Sequence, residues 1–217
     1  TDSVYQANTT AGFSIVTFTS PGSGLTIAHG LGGKPDLIIS KSRESTENWA
    51  VHTTLIDGSL DYLRISTTDA KGDSGFSLPT STVFGYNGST NVDYVAYCFR
   101  SIQGYSKINT YIGNGSTNGS YIHLGFKPSW IMVKRTDGGS SGWLIYDTAR
   151  DTFNEADAVL QAHVATAEVT AADIDILSNG WKFRTSDGAV NGSGQTYIYI
   201  AFGETFVSST GVPTTAR

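Results

Sequence analysis

The chain has 217 residues, enough for one large or two small domains, and a formal net charge of −5. Charged residues make up 15% of the sequence and form no basic cluster interleaved with aromatics, which excludes the usual nucleic-acid footprint. No apolar run approaches the roughly 20 residues that a membrane-spanning helix needs. The 25 glycines, and the abundance of Thr, Ser and Tyr over helix-forming residues, predict an all-β protein without nucleic-acid or membrane partners.

Turn-forming stretches divide the first half of the chain into short apolar segments. A spacing of about 8–12 residues between such segments is typical of a β-sandwich or barrel. We therefore predict strands near residues 13–18, 25–28, 36–41, 48–53, 61–66, 82–86 and 93–100. The segment DYVAYCF, residues 93–99, has few polar residues at either set of alternating positions, which predicts a central strand covered on both faces. Its Cys98 is the single cysteine of the chain, so we expect a buried apolar side chain rather than a disulfide or a reactive thiol.

Four sequence anchors occur twice in the same order, which indicates an internal duplication. The paired anchors are GFSIVTF and GYSKINTY, HGLGGKPDLIISK and HLGFKPSWIMVK, NWAVHTT and GWLIYDT, and NGSTNVDYVAYCF and NGSGQTYIYIAF. Pro35 precedes Trp49 by 14 residues, and Pro128 precedes Trp143 by 15. We predict two tandem β-sandwich units of jelly-roll or lectin-like type at residues 12–102 and 103–207. An N-terminal arm, 1–11, and a C-terminal arm, 208–217, are expected to need a partner before they become ordered.

One stretch of the second half is ambiguous. Residues 153–173, FNEADAVLQAHVATAEVTAAD, have alanines and an apolar spacing that are compatible with a helix. The corresponding stretch of the first half, SLDYLRISTTD, alternates like a strand. Because the halves are related, the clearer copy decides, and we predict a strand over Val159–Val164. A helical insertion at 154–172 is the alternative.

Candidate catalytic and metal-binding residues all have a stronger structural explanation. The segment Gly72–Gly75, GDSG, with TIAHG before it, resembles chymotrypsin-like protease segments, but only 45 residues separate His29 from Ser74, which indicates a turn. Asp173 and Asp175 alternate on a strand as a glycosidase pair would, but the isoleucines beside them look like core. The four histidines, His29, His52, His123 and His163, show no metal-ligand spacing. His29 and His123 fall near matching positions of the repeat. We expect a backbone carbonyl of a turn to hold each of these two. We predict no catalytic residue, no metal site and no cofactor.

Aromatic side chains are the best candidates for ligand binding, because they can stack on sugar rings. Trp49 and Trp143 occupy equivalent repeat positions, Trp130 replaces Leu37, and Trp181 lies in SNGWKF, all beside apolar strand residues. We predict that these tryptophans belong to the core. The chain also has five Asn-x-Ser/Thr sites, which we interpret as turns rather than glycosylation acceptors: Asn8, Asn87, Asn114, Asn118 and Asn191.

The segments 104–154 and 175–204 resemble a domain that is common in bacteriophage virion proteins. This domain is frequent in phages of marine and freshwater bacteria, including cyanophages, where it occurs in predicted tail fibres and other virion structural proteins. The segment 80–99, TSTVFGYNGSTNVDYVAYCF, resembles the matching end of the first half of that family. The resemblance covers about residues 11–206, and the repeated motifs make it specific.

The resemblance implies a non-enzymatic structural protein of the virion, whose partners are other virion proteins. Its place is either a tail fibre that adheres to the host surface, with a surface glycan as a further partner, or a capsid decoration (cement) protein. By analogy with such proteins we expect a homo-oligomer, with a trimer favoured. The alternative is a free-standing carbohydrate-binding module or lectin, which we expect to be a monomer with an exposed aromatic platform.

Overall fold

The structure, a computed structural model, describes residues 3–138 and 141–204. Within these ranges all regular elements are β-strands, so none of the described segments is a helix that could cross a membrane. The predicted all-β class is confirmed. The chain divides between Ser101 and Ile102, one residue before the boundary expected from the repeat. The first unit comprises the described residues up to Ser66 together with Lys71–Ser101, and the second comprises Thr67–Ala70 with the described residues from Ile102 onward.

The first unit contains a seven-stranded antiparallel sheet and a separate strand pair. The sheet order is β1-β2-β9-β4-β5-β6-β7, and β3 pairs with β8. The strands are β1 Ser3–Asn8, β2 Phe13–Ser20, β3 Leu25–Ala28, β4 Leu37–Ser42, β5 Ala50–Thr53, β6 Asp61–Arg64, β7 Gly72–Asp73, β8 Val83–Tyr86 and β9 Val92–Phe99. All seven strands predicted for this half are present, with ends that shift by up to two residues.

The core of the first unit lies on one face of this sheet, under the strand pair. Phe18 of β2 stacks on Tyr94 of β9 at 5.7 Å and meets Phe84 of β8 edge-on at 6.2 Å. β9 is central, between β2 and β4, as DYVAYCF predicts. Its other buried residues include Cys98, and burial raises the pKa of that thiol to about 12, which confirms an inert apolar role. The opposite face of β9 is only half-buried, so its cover is less complete than expected.

The N-terminal arm expected at residues 1–11 is a strand over most of its length. Ser3–Asn8 pairs with β2 in six consecutive positions and forms the edge of the sheet. β1 has no fully buried side chain, and Val4 is 72% exposed. Backbone hydrogen bonds to β2 therefore hold β1 in the sheet. Its sequence lacks the apolar alternation by which a strand is predicted. The expected C-terminal arm, 208–217, lies outside the described residues.

The second unit is one eight-stranded sheet that folds over its own core. Its order is β10-β17-β12-β13-β14-β15-β16-β11. Trp181 of β16 meets Tyr199 of β17 edge-on at 4.9 Å, although four strands lie between β16 and β17 in the sheet. The strands are β10 Ser106–Ile112, β11 Tyr121–His123, β12 Pro128–Arg135, β13 Leu144–Asp147, β14 Ala156–Gln161, β15 Val169–Leu177, β16 Gly180–Phe183 and β17 Thr196–Gly203.

The ambiguous stretch at 153–173 contains strands. β14 pairs with β15 through Ala158↔Thr170 and Val159↔Val169, with a bulge beside Ala156. The predicted strand is confirmed, although it begins and ends three residues earlier than expected. The helical alternative at 154–172 is wrong, because Ala156 and Ala158 lie in β14 and Ala171 lies in β15, and these two strands pair with each other.

The topology confirms the internal duplication. The order β2-β9-β4-β5-β6 of the first unit is repeated as β10-β17-β12-β13-β14 in the second. Leu37 pairs with Phe99 where Trp130 pairs with Phe202, as the repeat predicts. A matched backbone hydrogen bond of 3.0 Å ends at the carbonyl of each repeat tryptophan, from Ile65 N to Trp49 O and from Ala162 N to Trp143 O.

The equivalent tryptophans nevertheless differ in burial. Trp143 is fully buried, whereas Trp49 is 38% exposed, so the prediction of a core role is wrong for Trp49. Trp49 follows six exposed residues, 43–48, and its ring stacks on the half-buried Tyr97 at 6.2 Å. Trp181 is fully buried as predicted, and Trp130 is half-buried against Phe202.

Asparagine side chains join the loops of each unit, and the Asn-Gly sites lie between strands as predicted. Asn87 Oδ1 accepts a hydrogen bond from Gly24 N at 2.8 Å in the first unit. In the second unit Asn191 is fully buried, and its Oδ1 accepts from Asn114 N at 3.0 Å. Its Nδ2 lies within 3.0 Å of three oxygens, which belong to Asn114, Ser116 and Thr185.

Lys134 of β12 is fully buried, and we expect it to make the stability of the protein depend on pH. Its ammonium donates to Arg135 O at 2.7 Å and Thr68 O at 3.3 Å. Burial lowers the pKa of Lys134 to about 8, against the opposing attraction of Asp69. The unfolded chain therefore holds this proton more tightly, so this group lowers stability below pH 8 and stops doing so above its unfolded pKa.

The test is urea unfolding of the parent and a Lys134→Met variant between pH 7 and 10. The pKa difference corresponds to roughly 3 kcal/mol. The variant leaves two carbonyls without their donor, so we expect it to be about 1–2 kcal/mol more stable at pH 7. The advantage should shrink as the pH rises from 8. An advantage that is constant with pH would contradict the assignment.

Candidate functional site

A groove with a volume of about 360 Å³ opens on the core-side face of the first unit, between β5 and β6, the loop after β7 and Tyr86 of β8. Its floor consists of four rings, from His52, Tyr62, Phe76 and Tyr86. Its rim carries polar and charged groups, among them Glu47, Asn48 and Arg64. Of the candidate residues that the sequence analysis singled out, only His52 and Ser74 line this groove. None of the tryptophans lines it.

Strand alternation and one glycine explain why these rings share a face. Ala50 pairs with Arg64 and His52 pairs with Tyr62, so all four residues project to the same side of β5 and β6. Gly72 of β7 lies opposite Tyr62, and a Cβ at that position would come within 2.8 Å of the tyrosine ring. Glycine therefore leaves the space in which Tyr62 lies.

The loop after β7 brings the other half of the floor. Ser74 Oγ donates to Leu60 O at 2.7 Å, and Phe76 N donates to Ser74 Oγ at 3.3 Å. Phe76 then lies 5.4 Å from His52 and 5.6 Å from Tyr86 between ring centroids. These contacts form one cluster of rings from β5, the loop and β8.

The floor is uncharged and the rim is not. Burial lowers the pKa of His52 to about 4 and raises the pKa of Tyr86 to about 12, so both rings are neutral at physiological pH. At the rim the Arg64 guanidinium lies 5.1 Å from the centroid of the Tyr62 ring. Glu47 is exposed and accepts a hydrogen bond from Tyr94 Oη at 3.3 Å. The groove can therefore offer ring faces together with charged donors and acceptors.

The second unit fills the same positions with core. By strand pairing, Leu144, Tyr146, Val159 and Gln161 take the places of Ala50, His52, Tyr62 and Arg64. The first three are buried in the hydrophobic cluster of that unit. The physical cause is the next strand of the sheet, because β15 has nine residues and β7 only two. Beyond β15 the sheet of the second unit continues with β16 and β11, whereas among the described residues of the first unit β7 is the last strand of its sheet.

An acidic cluster surrounds Lys71 at the β7 edge of the same sheet. Its Nζ lies 2.5 Å from Asp57, 2.6 Å from Asp61 and 3.7 Å from Asp73. Hydrogen bonding to the two nearest carboxylates raises the pKa of Lys71, and hydrogen bonding to Lys71 lowers that of Asp57. Within residues 3–138 and 141–204, these three carboxylates are the only group of three or more His, Cys, Asp or Glu side chains close enough together to hold a metal ion, and a lysine ammonium already neutralises part of their charge.

This cluster is not among the sites predicted from the sequence, although the alternation of its residues is visible in the sequence. Asp57, Ser59 and Asp61 alternate along the approach to β6, and Asp73 pairs directly with Asp61 across β6 and β7. Ser59 Oγ donates to Asp57 Oδ1 at 2.7 Å. The arrangement is a salt-bridge network at the end of a sheet, with Asp61 buried beneath it.

The protease-like pair makes separate structural contacts. The fully buried His29 lies beside Thr80 O, with its Nε2 at 3.3 Å, and His29 Nδ1 accepts from Leu31 N at 3.2 Å. A backbone carbonyl thus holds His29, as predicted. The hydroxyl of Ser74 is directed to Leu60 O. The turn predicted at GDSG is wrong for its first two residues, which form strand β7, and Ser74 and Gly75 begin the loop that leads to Phe76 in the groove.

His29 and His123 lie near matching positions of the repeat, as predicted, but they are offset by one residue. His29 N donates to Thr82 O just as Leu124 N donates to Asn179 O, so Leu124 is the true counterpart. His123 is consequently on the opposite side of its strand, where it is exposed and lies 3.3 Å from Tyr121 Oη.

The remaining candidates also have structural partners. Asp175 forms an ion pair with Arg184 at 3.0 Å, and the backbone carbonyl of Asp173 accepts from Arg184 N at 2.8 Å. Ile174 and Ile176 are core residues, as predicted. His163 is half-buried against Gly142, where a Cβ would overlap the imidazole ring.

Comparison with known proteins gives a family without an assigned activity. The profile of a domain of unknown function, DUF7483, matches residues 1–205. No curated protein and no solved structure gives a significant match. Because the matching region includes both repeats, the chain belongs to the DUF7483 family.

Proposed function

We propose that this chain is a non-enzymatic structural protein of a bacteriophage virion and that it serves in host-surface adhesion, as part of a tail fibre. Capsid decoration is the other place in a virion that the sequence motifs suit. The motifs that resemble virion proteins support the proposal, because they fall on the paired strands and the turns of both repeats. The duplicated all-β architecture agrees with a scaffold role.

The groove of the first unit is the observation that favours adhesion over decoration. A capsid decoration protein needs extended surfaces that cover other virion proteins. A concave site with ring faces and a few polar groups is instead typical of small-ligand recognition. The divergence of the repeats points the same way, because only one copy leaves these positions open.

The second candidate, a free-standing carbohydrate-binding module or lectin, has the support of the same groove. The two functions differ in assembly. A fibre component acts with other virion proteins and as a homo-oligomer, for which we favour a trimer, whereas the free-standing lectin acts as a monomer. Strand β1 offers an edge for such assembly, since Val4 and Tyr5 are 72% and 48% exposed.

Light scattering after size exclusion, which gives the absolute mass of the purified chain, tests the proposal. We expect a mass three times the 23.1 kDa of one chain, or that of another closed oligomer. A stable monomer over the whole accessible concentration range would count against the fibre assignment and in favour of the lectin. A mass that grows without limit would indicate aggregation and also contradict the proposal.

A further inference from the structure

We infer that the groove of the first unit binds one or two rings of a neutral sugar and that the equivalent face of the second unit does not. The inference deepens the proposed adhesion function and rests on it only for the source of the sugar, a host-surface glycan. The sugar class itself follows from the chemistry of the groove.

The floor presents what the carbon–hydrogen face of a pyranose needs. Aromatic rings offer flat, polarisable surfaces that stack on such a face. His52, Phe76 and Tyr86 are mutually in contact, with centroid distances of 5.4, 5.6 and 6.1 Å. The buried His52 is uncharged because burial lowers its pKa to about 4. The apolar face of a sugar can therefore displace water from the floor without meeting a buried charge.

The rim presents what sugar hydroxyls need. A hydroxyl both donates and accepts, and neighbouring hydroxyls on a ring suit planar groups with two donors or two acceptors. Arg64 provides a planar donor, the Glu47 carboxylate provides two acceptors, and the amide of Asn48 provides both. Ser66 Oγ holds that amide through a hydrogen bond of 2.6 Å to Asn48 Oδ1.

The charges of the rim select a neutral ligand. Glu47 and Arg64 carry opposite charges on the same groove. An acidic sugar would be repelled by Glu47 and an amino sugar by Arg64, so neither gains the full attraction of one partner. A neutral sugar uses both groups as charged hydrogen-bonding partners.

The size and openness of the groove set the length of the ligand. Ligand pockets in proteins range from about 300 to 1,000 Å³. A volume of about 360 Å³ lies near the lower end and suits one or two rings rather than a long segment of chain. Because the groove is open, the rest of a polysaccharide can continue into solvent.

The second unit supplies an internal comparison. Val159 stands where Tyr62 stands in the groove, and Tyr146 stands in place of His52 within a sealed core. Tyr121 of the second unit, 46% exposed, provides an exposed tyrosine outside the groove for a matched control.

Saturation-transfer NMR of the full chain tests the inference directly. The probes are the methyl glycosides of glucose, galactose, mannose and rhamnose, each at about 10 mM, with N-acetylneuraminate and glucosamine as charged comparisons. We expect transfer to at least one neutral glycoside. Titration should show binding that is about tenfold weaker in Tyr62→Ala and several-fold weaker in Glu47→Gln. Tyr121→Ala should bind like the parent.

The exposed Glu47→Gln substitution keeps the test valid if Tyr62→Ala fails to fold, which thermal unfolding of each variant will show. Absence of transfer to every neutral glycoside, or transfer only to a charged sugar, would overturn the inference. Transfer that neither groove variant reduces would also overturn it. A closed oligomer that binds no sugar removes this inference and leaves the virion assignment, whereas a sugar-binding monomer supports this inference and contradicts that assignment.

Discussion

Replacement of Trp143 by alanine should lower the free energy of unfolding by about 3–5 kcal/mol. Trp143 is fully buried immediately before β13, and its carbonyl accepts the hydrogen bond that fixes Ala162 after β14. Truncation leaves a cavity of nearly the full indole volume between strands that cannot collapse without breaking their register. Urea unfolding, followed by far-ultraviolet circular dichroism, gives the difference.

Trp49→Ala is the matched control for this experiment. Trp49 occupies the same repeat position and its carbonyl makes the same backbone contact, but 38% of the side chain is exposed. We expect a loss of roughly 1 kcal/mol, from the ring contact with Tyr97. Equal losses for the two variants would contradict the difference in burial that the structure shows.

Asn191→Ala should destabilise the protein by at least about 3 kcal/mol. The substitution removes a buried amide that bonds to Asn114, Ser116 and Thr185, and so leaves backbone groups of two loops without partners. Each unsatisfied buried group costs about 1–3 kcal/mol, and water that enters the space recovers part of that loss. Thermal unfolding and hydrogen exchange measure the global and the local effects.

Hydrogen exchange should locate the loss of Asn191 in the second unit. We expect faster exchange at Asn114 N and Gly115 N, whose acceptors are Asn191 Oδ1 and the Asn191 carbonyl. Asn87→Ala is the control, because the exposed Asn87 makes one comparable contact, with Gly24 N. Its expected cost is about 1 kcal/mol. A larger effect from Asn87 than from Asn191 would refute this account of the two loops.

Much of the fold could be predicted because its turns are explicit in the sequence. SPGSG, GLGGKP and YNGSTN separate apolar runs of strand length, and the strands lie where those runs predict. The repeat added a second source of information, since it identified β14 in a stretch whose own composition was compatible with a helix. β1 was missed because an exposed edge strand needs no apolar alternation.

Burial was harder to predict than strand position. Equivalence of Trp49 and Trp143 in the repeat specifies the same backbone position but not the same neighbours. Similarly, one residue of offset in the paired strands reversed the environment of His123. Side-chain environment depends on what lies over a strand, and a local pattern of residues does not contain that information.

The groove was missed for the same reason. Tyr62 and His52 occupy ordinary strand positions, and AKGDSG reads as a turn whether or not a groove lies beside it. The informative difference between the repeats is that the first has no strand-forming segment as long as VTAADIDIL of β15 at the position of β7. This difference can be interpreted only when both sheets are known. Because β7 is short, it leaves the ring of Tyr62 on the neighbouring strand β6 partly exposed.

The shortness of β7 also bears on how such a protein can diversify. Backbone pairing between β9, β4 and β5 holds the first sheet together. The side chains that line the groove project from one face of that sheet. If the groove binds a sugar as we propose, substitutions at Glu47, Asn48 or Arg64 alter ligand preference while hydrogen bonding between strands stays intact. Under the proposed adhesion function, such a chain would follow a changing host surface through a few side chains of the first repeat, while the second repeat stays constant.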